Sequence, residues 1–298
     1  MRTQLSIPTL SQPSRRRAGL TILEMLVSTA MLLFIVVGLT AVFIQTQKAF
    51  KTGLKQNTIT DAGRAIMDMI TGDLRQMSDS RNTNYMTNYN FNFYWDFPTS
   101  GTMITNYING VAIRTNVLNN FFILEHTNTT WIGVGYAVSN YPGVAVGSLY
   151  RYETNWTSLA PVFTNDLFSP FYTNVTSPSP SFSTNYWHKI ADGIIDMEIR
   201  AFDQYGNENN YDPRFPLISF YPLGYNYYWF QLQAYGAPPS NTLPNSVELE
   251  FGILEPDTLV QARALAGNAG ALTAFLSSNA APHTEIFRQR VTVAAASR

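Results

Sequence analysis

The sequence predicts an α+β protein, one long N-terminal helix packed on a domain of antiparallel sheet. Two observations carry this. From Leu20 to Ile44 the chain runs 25 residues with one charge, Glu24, and between Ile59 and Met77 apolar residues recur every three or four positions. Beyond residue 79 the pattern changes to short alternating segments separated by Asn-, Ser-, Thr- and Pro-rich stretches. Alternation of period two marks strands with one buried and one wet face, typical of antiparallel pairing.

Residues 1–19 form a basic leader carrying Arg2, Arg15, Arg16 and Arg17 and no acid. The apolar run 20–44 is long enough to cross a bilayer, which needs about 20 residues. Basic residues beside a membrane helix favour the cytoplasmic side. The run is therefore expected to cross the inner membrane once, N-terminus inside, with the body of the chain in the periplasm. A secretory signal places its small-residue cleavage site after the apolar region. Glu24 is the anomaly. A carboxylate within a membrane helix costs roughly 2.5–3.5 kcal/mol and reads as functional, with a partner to be named. The plainer alternative is a signal anchor with a tolerated acid near its end.

The stretch 45–78 is the amphipathic, soluble half of the same helix. Ile59, Ala62, Ile66, Ile70, Leu74 and Met77 share one face, while Asp61, Arg64, Asp68, Asp73 and Arg75 fill the others. No proline lies between Pro13 and Pro98, so one helix is expected from about Leu20 to about Met77. Gly53, Gly63 and Gly72 weaken it, each by about 1 kcal/mol relative to Ala. Lys48, Lys51 and Lys55 sit just past the apolar run, placed for lipid headgroups.

The residues RRRAG followed by LTILEML resemble a prepilin signal: a basic leader, a terminal Gly, and an apolar helix with Glu at its fifth position. The resemblance implies cleavage after Gly19 by a prepilin peptidase and methylation of the new N-terminus at Leu20, with Thr21 at the second position and Glu24 at the fifth. Leu20 departs from the commoner Phe or Met. In such proteins the helices stack into a filament, where the Glu24 carboxylate would pair with the N-terminal ammonium of a neighbouring subunit. A buried charge is tolerated when paired and penalised when orphaned. AGRAIMDMITGDLRQM (62–77) is similar to the matching stretch of minor pseudopilins.

From residue 79 to 298 a β-rich domain is expected. The segment 82–97, rich in Asn and aromatics, reads as a long loop or edge hairpin covering the sheet, with a sugar- or partner-binding loop as the alternative. FFILEHT (121–127) and TWIGVGYAV (130–138) suit one hairpin. SLYRYETNW (148–156) puts Tyr150 and Tyr152 on one face, Arg151 and Glu153 on the other. Residues 157–185 read as a long connection. In IIDMEIRAF (194–202) Ile195, Met197, Ile199 and Ala201 point inward, with Asp196, Glu198 and Arg200 outward. YWFQLQAYG (228–236) and EIFRQRVTVAA (285–295) are further strands. In SVELEFGIL (246–254) Val247, Leu249, Phe251 and Ile253 point inward. Residues 257–278 read as a late helix interrupted by Gly. The order LYRYE, KIADGIIDMEIRAFDQYGN, LPNSVELEFGIL resembles the J-type minor pseudopilins of type II secretion. The tail is similar to the pilin-like proteins of the Verrucomicrobia-type cassette. Residues 80–147 carry no resemblance.

Composition and motifs narrow the function. Without the four leader arginines the 19 basic residues fall to 15 against 20 acidic ones, a formal charge of −5, which argues against a nucleic-acid partner. There are no cysteines, hence no disulfide scaffold and no thiolate metal site. His126, His188 and His283 are scattered, no nucleophile or nucleotide-binding motif occurs, and neighbours Glu125 and His126 point to opposite faces of a strand. No catalytic residue, metal site or cofactor is expected. The oxygen-rich stretch Asp203, Asn207, Glu208, Asp212 lacks the EF-hand spacing and reads as a solvated turn. The expected role is structural: a minor pseudopilin that co-assembles with other pilin-like subunits through its N-terminal helix, at or near the tip of a secretion pseudopilus. A minor type IV pilin for adhesion or DNA uptake is the alternative.

Overall fold

The computed structural model describes residues 21–79, 92–96, 104–108, 110–140, 146–157, 167–177, 180–183, 185–202, 205–206, 208, 227–229, 231–232, 240–241 and 243–293. The chain divides into two compact units, Met1–Leu54 and Lys55–Arg298. The boundary falls inside helix α1, Ile22–Arg75.

In the first unit the described residues are helical from Ile22 onward, and their large hydrophobic side chains are exposed. No proline interrupts this stretch. Its hydroxyls turn back on the helix: Ser28, Thr40 and Thr46 donate to the carbonyls of Glu24, Val36 and Val42 at 2.8, 2.8 and 2.9 Å. Side chains that could compete with the backbone are thereby satisfied within the helix itself.

The second unit begins with the rest of α1. Its strands are β1 Phe93–Asp96, β2 Ile104–Ile108, β3 Val111–Asn116, β4 Asn120–Thr127, β5 Thr130–Asn140, β6 Gly147–Thr157, β7 Trp187–Phe202, β8 Tyr227–Trp229, β9 Gln231–Leu232, β10 Ser240–Asn241, β11 Ser246–Leu254 and β12 Thr284–Thr292. Helix α2 is Ser169–Val175, α3 is Pro256–Ala264 and α4 is Ala269–Asn279, and a 3-10 turn at Ala281–His283 precedes β12. Eight strands form one antiparallel sheet in the order β12-β11-β7-β6-β5-β4-β1-β8; β2 pairs with β3 and β9 with β10 in two small ribbons. The fold is thus α+β.

The expected hairpin of 121–127 and 130–138 forms, with Thr127 opposite Thr130. Its two-residue loop works because Asn128 takes φ 55°, which Asn tolerates better than most residues. One face of the sheet carries the main core. There Ile59, Ile66, Ile70 and Leu74 of α1 meet Phe121, Ile123, Val134, Met197, Leu249 and Phe251. Helix α1 presents Gly63 to this layer. A Cβ at Gly63 would lie 2.1 Å from Phe287 Cζ, so the glycine permits the approach of the β12 ring.

Several expectations are corrected. Ala62 is exposed and Gly63 takes its place on the buried stripe, with Asp73 buried beside it. The helix stops at Arg75, and Met77 instead bridges to Glu125. Residues 93–96 are not loop: they are β1, between β4 and β8 inside the sheet, while 80–91 lie outside the described residues. The other face of β4–β6 is not wet. Within the span 157–185, α2 lays Phe171 on it, and Tyr94, Phe122, Leu124, Tyr152 and Trp187 close a second, aromatic core. Gly135 makes the contact possible, since a Cβ there would lie 2.4 Å from Phe171 Cδ2. Of the expected strand 228–236, Tyr227–Trp229 joins the large sheet and Gln231–Leu232 pairs with Ser240–Asn241, while 230 and 233–236 lie outside the described residues. The late helix is two helices, separated at Leu265–Asn268, where the Asn268 side chain accepts from the Ala271 N–H at 3.0 Å and caps α4. Asp196 is buried because the β2–β3 ribbon lies over it. Wet-face character survives on β7, β11 and β12, where Arg200 and Arg288 both donate to Glu248, at 3.4 and 2.6 Å.

Candidate functional site

Of the residues the sequence singles out, the structure describes those at the start of α1. Thr21 stands just before the first helical residue, and its Oγ1 accepts from the Glu24 N–H at 3.3 Å while its carbonyl accepts from the Met25 N–H at 3.1 Å. Thr21 and Glu24 thus have the Thr-x-x-Glu spacing of a capping box, the threonine satisfying a backbone donor that the helix end leaves orphaned. An acid in the first turn also complements the positive end of the helix dipole. Gly19 and Leu20 lie outside the described residues.

Beyond this turn and as far as Ile44 the helix offers only apolar surface and hydroxyls already bonded to their own backbone. Ile22–Arg75 contains a stretch long and apolar enough to cross a membrane, and none of that stretch is buried in the protein. Among the described residues no ion pair reaches the Glu24 carboxylate. The segment therefore presents one carboxylate at the head of a wide hydrocarbon surface.

A second concentration of charge has no counterpart in the sequence reading. Within the second unit, Asp73 of α1 accepts from Tyr136 Oη at 2.5 Å and from Arg151 Nε at 2.8 Å. Arg151 also pairs with Glu153, beside it on β6. Glu125 on β4 completes the cluster: it is buried, and its Oε1 lacks a hydrogen-bond partner. Burial, then the nearby Asp73 charge, pushes the Glu125 carboxyl up to about 8, against the opposing pull of Arg151. Burial and Asp73 likewise raise the Tyr136 phenol. For Arg151, burial opposes the charged form, but the bonds to Asp73 and Glu153 outweigh it and the guanidinium holds its proton more tightly. The arrangement does structural work: it fixes the rotation of this stretch of α1 on the sheet, since turning the helix would part Asp73 from Arg151 and Tyr136. Helical periodicity alone puts Asp73 on the solvent side; the signal available in sequence is an Arg151 placed opposite the tyrosine face of β6.

The remaining candidates stay apart. His126 stacks on Trp131 with ring centroids 4.1 Å apart, on the face away from Glu125; His283 Nδ1 lies 3.0 Å from Glu255; His188 is on β7. Of the oxygen-rich stretch only Glu208 is described, 3.9 Å from Arg200, while Asp203, Asn207 and Asp212 lie outside the described residues. Among the described residues no three His, Cys, Asp or Glu side chains are grouped to hold a metal ion. Comparison with protein-family models, with curated proteins and with solved structures finds no match for this chain.

Proposed function

We propose that the chain is a minor pilin-like subunit, of the pseudopilin kind that supports protein export, and that it acts by co-assembly and performs no chemistry. The observation that carries this reading is the N-terminal segment of α1: an uncovered apolar helix, its hydroxyls internally satisfied, with Glu24 in a capped first turn. In lipid such a helix is stored at little cost, and against other helices of the same kind it packs without unsatisfied polar groups. Glu24 then selects the register, because its carboxylate is stable in an apolar bundle only opposite a cation. The cation is the ammonium left when a prepilin peptidase cuts between Gly19 and Leu20. The leader stays cytoplasmic, the helix starts in the inner membrane, and the sheet domain is periplasmic. The partners are other pilin-like subunits.

Mass spectrometry of the protein purified from its native membrane tests the processing step. A mature chain beginning at Leu20 with an N-methyl group is expected. An intact Met1, or cleavage beyond Ile44, overturns it.

A further inference from the structure

Three asparagines stand two residues before a threonine with no proline between: Asn128-Thr129-Thr130, Asn155-Trp156-Thr157 and Asn174-Val175-Thr176. This triplet is the acceptor motif for N-linked sugar, and it carries meaning where the fold puts it on an open surface of an exported domain. The structure sorts the three. At Asn174 both arms of the motif are occupied. Its Oδ1 accepts from the Ser181 N–H at 2.8 Å and its Nδ2 is buried, while the Thr176 hydroxyl donates to the Tyr172 carbonyl at 2.7 Å.

The other two motifs, 27 residues apart in the chain, meet at one end of the large sheet. Thr130 of β5 stands opposite Thr157 of β6, their hydroxyl oxygens 3.3 Å apart, and Ile132 stands opposite Asn155. Asn128 sits in the turn that joins β4 to β5, with φ 55°. Asn155 lies past Tyr152, where the described pairing of β6 with β7 ends. Both asparagines are exposed, and among the described residues no hydrogen bond engages either carboxamide. This freedom matters chemically. An amide nitrogen is a poor nucleophile, because its lone pair is delocalised into the carbonyl. A transferase must turn the carboxamide to use that lone pair, which a side chain open to solvent permits and the buried Asn174 nitrogen does not.

We propose that Asn128 and Asn155 are acceptors of N-linked glycans, so that this end of the sheet carries two sugar chains. The donor is an oligosaccharide held on a polyprenyl diphosphate. The carboxamide nitrogen bonds to the anomeric carbon of the first sugar as the bond from that carbon to the diphosphate oxygen breaks. The lipid diphosphate leaves with the electron pair, and the displaced amide proton passes to a base of the transferase. The proposal rests on the reading that places the sheet domain outside the cytoplasm. It adds a constraint to that reading: glycans here hold this end of the sheet in solvent, away from the contacts between subunits.

The test is mass spectrometry of the full chain purified from its native membrane, with fragmentation that localises sugar to a residue and the N-terminal peptide read from the same digest. One common oligosaccharide mass is expected on Asn128 and on Asn155, with Asn174 bare. Thr130→Ala is expected to abolish the sugar on Asn128 and Thr130→Ser to retain it; Thr157→Ala and Thr157→Ser act in the same way on Asn155. Sugar on one asparagine alone overturns the assignment of the other. Bare Asn128 and Asn155 in a chain that begins at Leu20 overturn the proposal and leave the processing step standing. Sugar in a chain that retains Met1 supports the proposal and overturns the processing step, and bare asparagines with Met1 retained overturn both. Sugar that survives the alanine variants, or that is found on Asn174 alone, also overturns it.

Discussion

The Asp73 carboxylate on α1 accepts a hydrogen bond of 2.5 Å from the phenol of Tyr136 on β5. Arg151 donates to the same carboxylate oxygen from β6, so one helix residue ties down two adjacent strands. Removing it leaves the buried Tyr136 hydroxyl without this acceptor and Arg151 with Glu153 as its remaining acid. Asp73→Ala is expected to cost about 3–5 kcal/mol, and Asp73→Asn less, because the amide oxygen still accepts. Denaturant unfolding followed by tryptophan fluorescence measures both, and equal costs would contradict the role given to the charge.

Glu125 makes stability depend on pH. Its folded carboxyl titrates near 8 and its ordinary value is 4.5, so between those limits the folded chain holds a proton that the unfolded chain has released. Stability therefore falls as pH rises through this window, by at most about 1.4 kcal/mol per unit. Asp196, pushed up to about 6 chiefly by burial, adds in the same direction from its ordinary 3.8. Glu125→Gln is expected to flatten the decline between pH 6 and 8. Unfolding free energies of the two proteins across that range decide it; parallel curves would contradict the assignment.

The two glycine contacts predict unequal penalties. Gly135→Ala drives a methyl into Phe171, which is fully buried beneath the aromatic cluster; about 3 kcal/mol or more is expected. Gly63→Ala meets Phe287, a partly exposed ring at the sheet edge that can swing aside; about 1–2 kcal/mol is expected. Thermal unfolding of both variants checks the order.

Glu24 gives its backbone N–H to the Thr21 cap and its carboxylate to the head of the helix, and substitution removes only the second. Glutamine also serves at the third position of a capping box, so Glu24→Gln keeps the cap and loses the charge. If ammonium pairing governs recruitment, Glu24→Gln and Glu24→Ala both insert in the membrane and both fail to co-assemble, by about tenfold or more in crosslinked yield. Normal assembly of the glutamine variant would contradict recruitment by the charge.

What is legible in the sequence is local. The alternation in Ser246–Leu254 names its buried residues, Val247, Leu249, Phe251 and Ile253, and the tyrosine face of β6 is where the pattern puts it. What stays hidden depends on neighbours distant in the chain. Asp73 and Asp196 look like solvent-side charges until Arg151 and Arg114 arrive from elsewhere. Gly63 looks like a helix weakness until Phe287 is placed on it. The strand 93–96 is obscured by the Asn-rich composition around it, and the interruption at Gly267 is deep enough to break α3 from α4. At the N-terminal helix the pattern Thr21 to Glu24 is visible in the residues themselves, and the structure adds the cap that the Thr21 hydroxyl makes on the Glu24 N–H.

The contacts of α1 with the end of the chain set a clock. Lys55 pairs with Asp257, Thr60 donates to Glu285 at 3.0 Å, and Gly63 lies under Phe287. These partners are separated by some 200 residues of sequence, and contacts so remote are slow to close. A chain synthesised from its N-terminus has made its amphipathic helix long before the strand that covers it exists. Until synthesis reaches Phe287, the apolar stripe of that helix has no native cover there. Truncation before Thr284 is expected to uncover this stretch of the stripe, because Phe287 of β12 lies on Gly63.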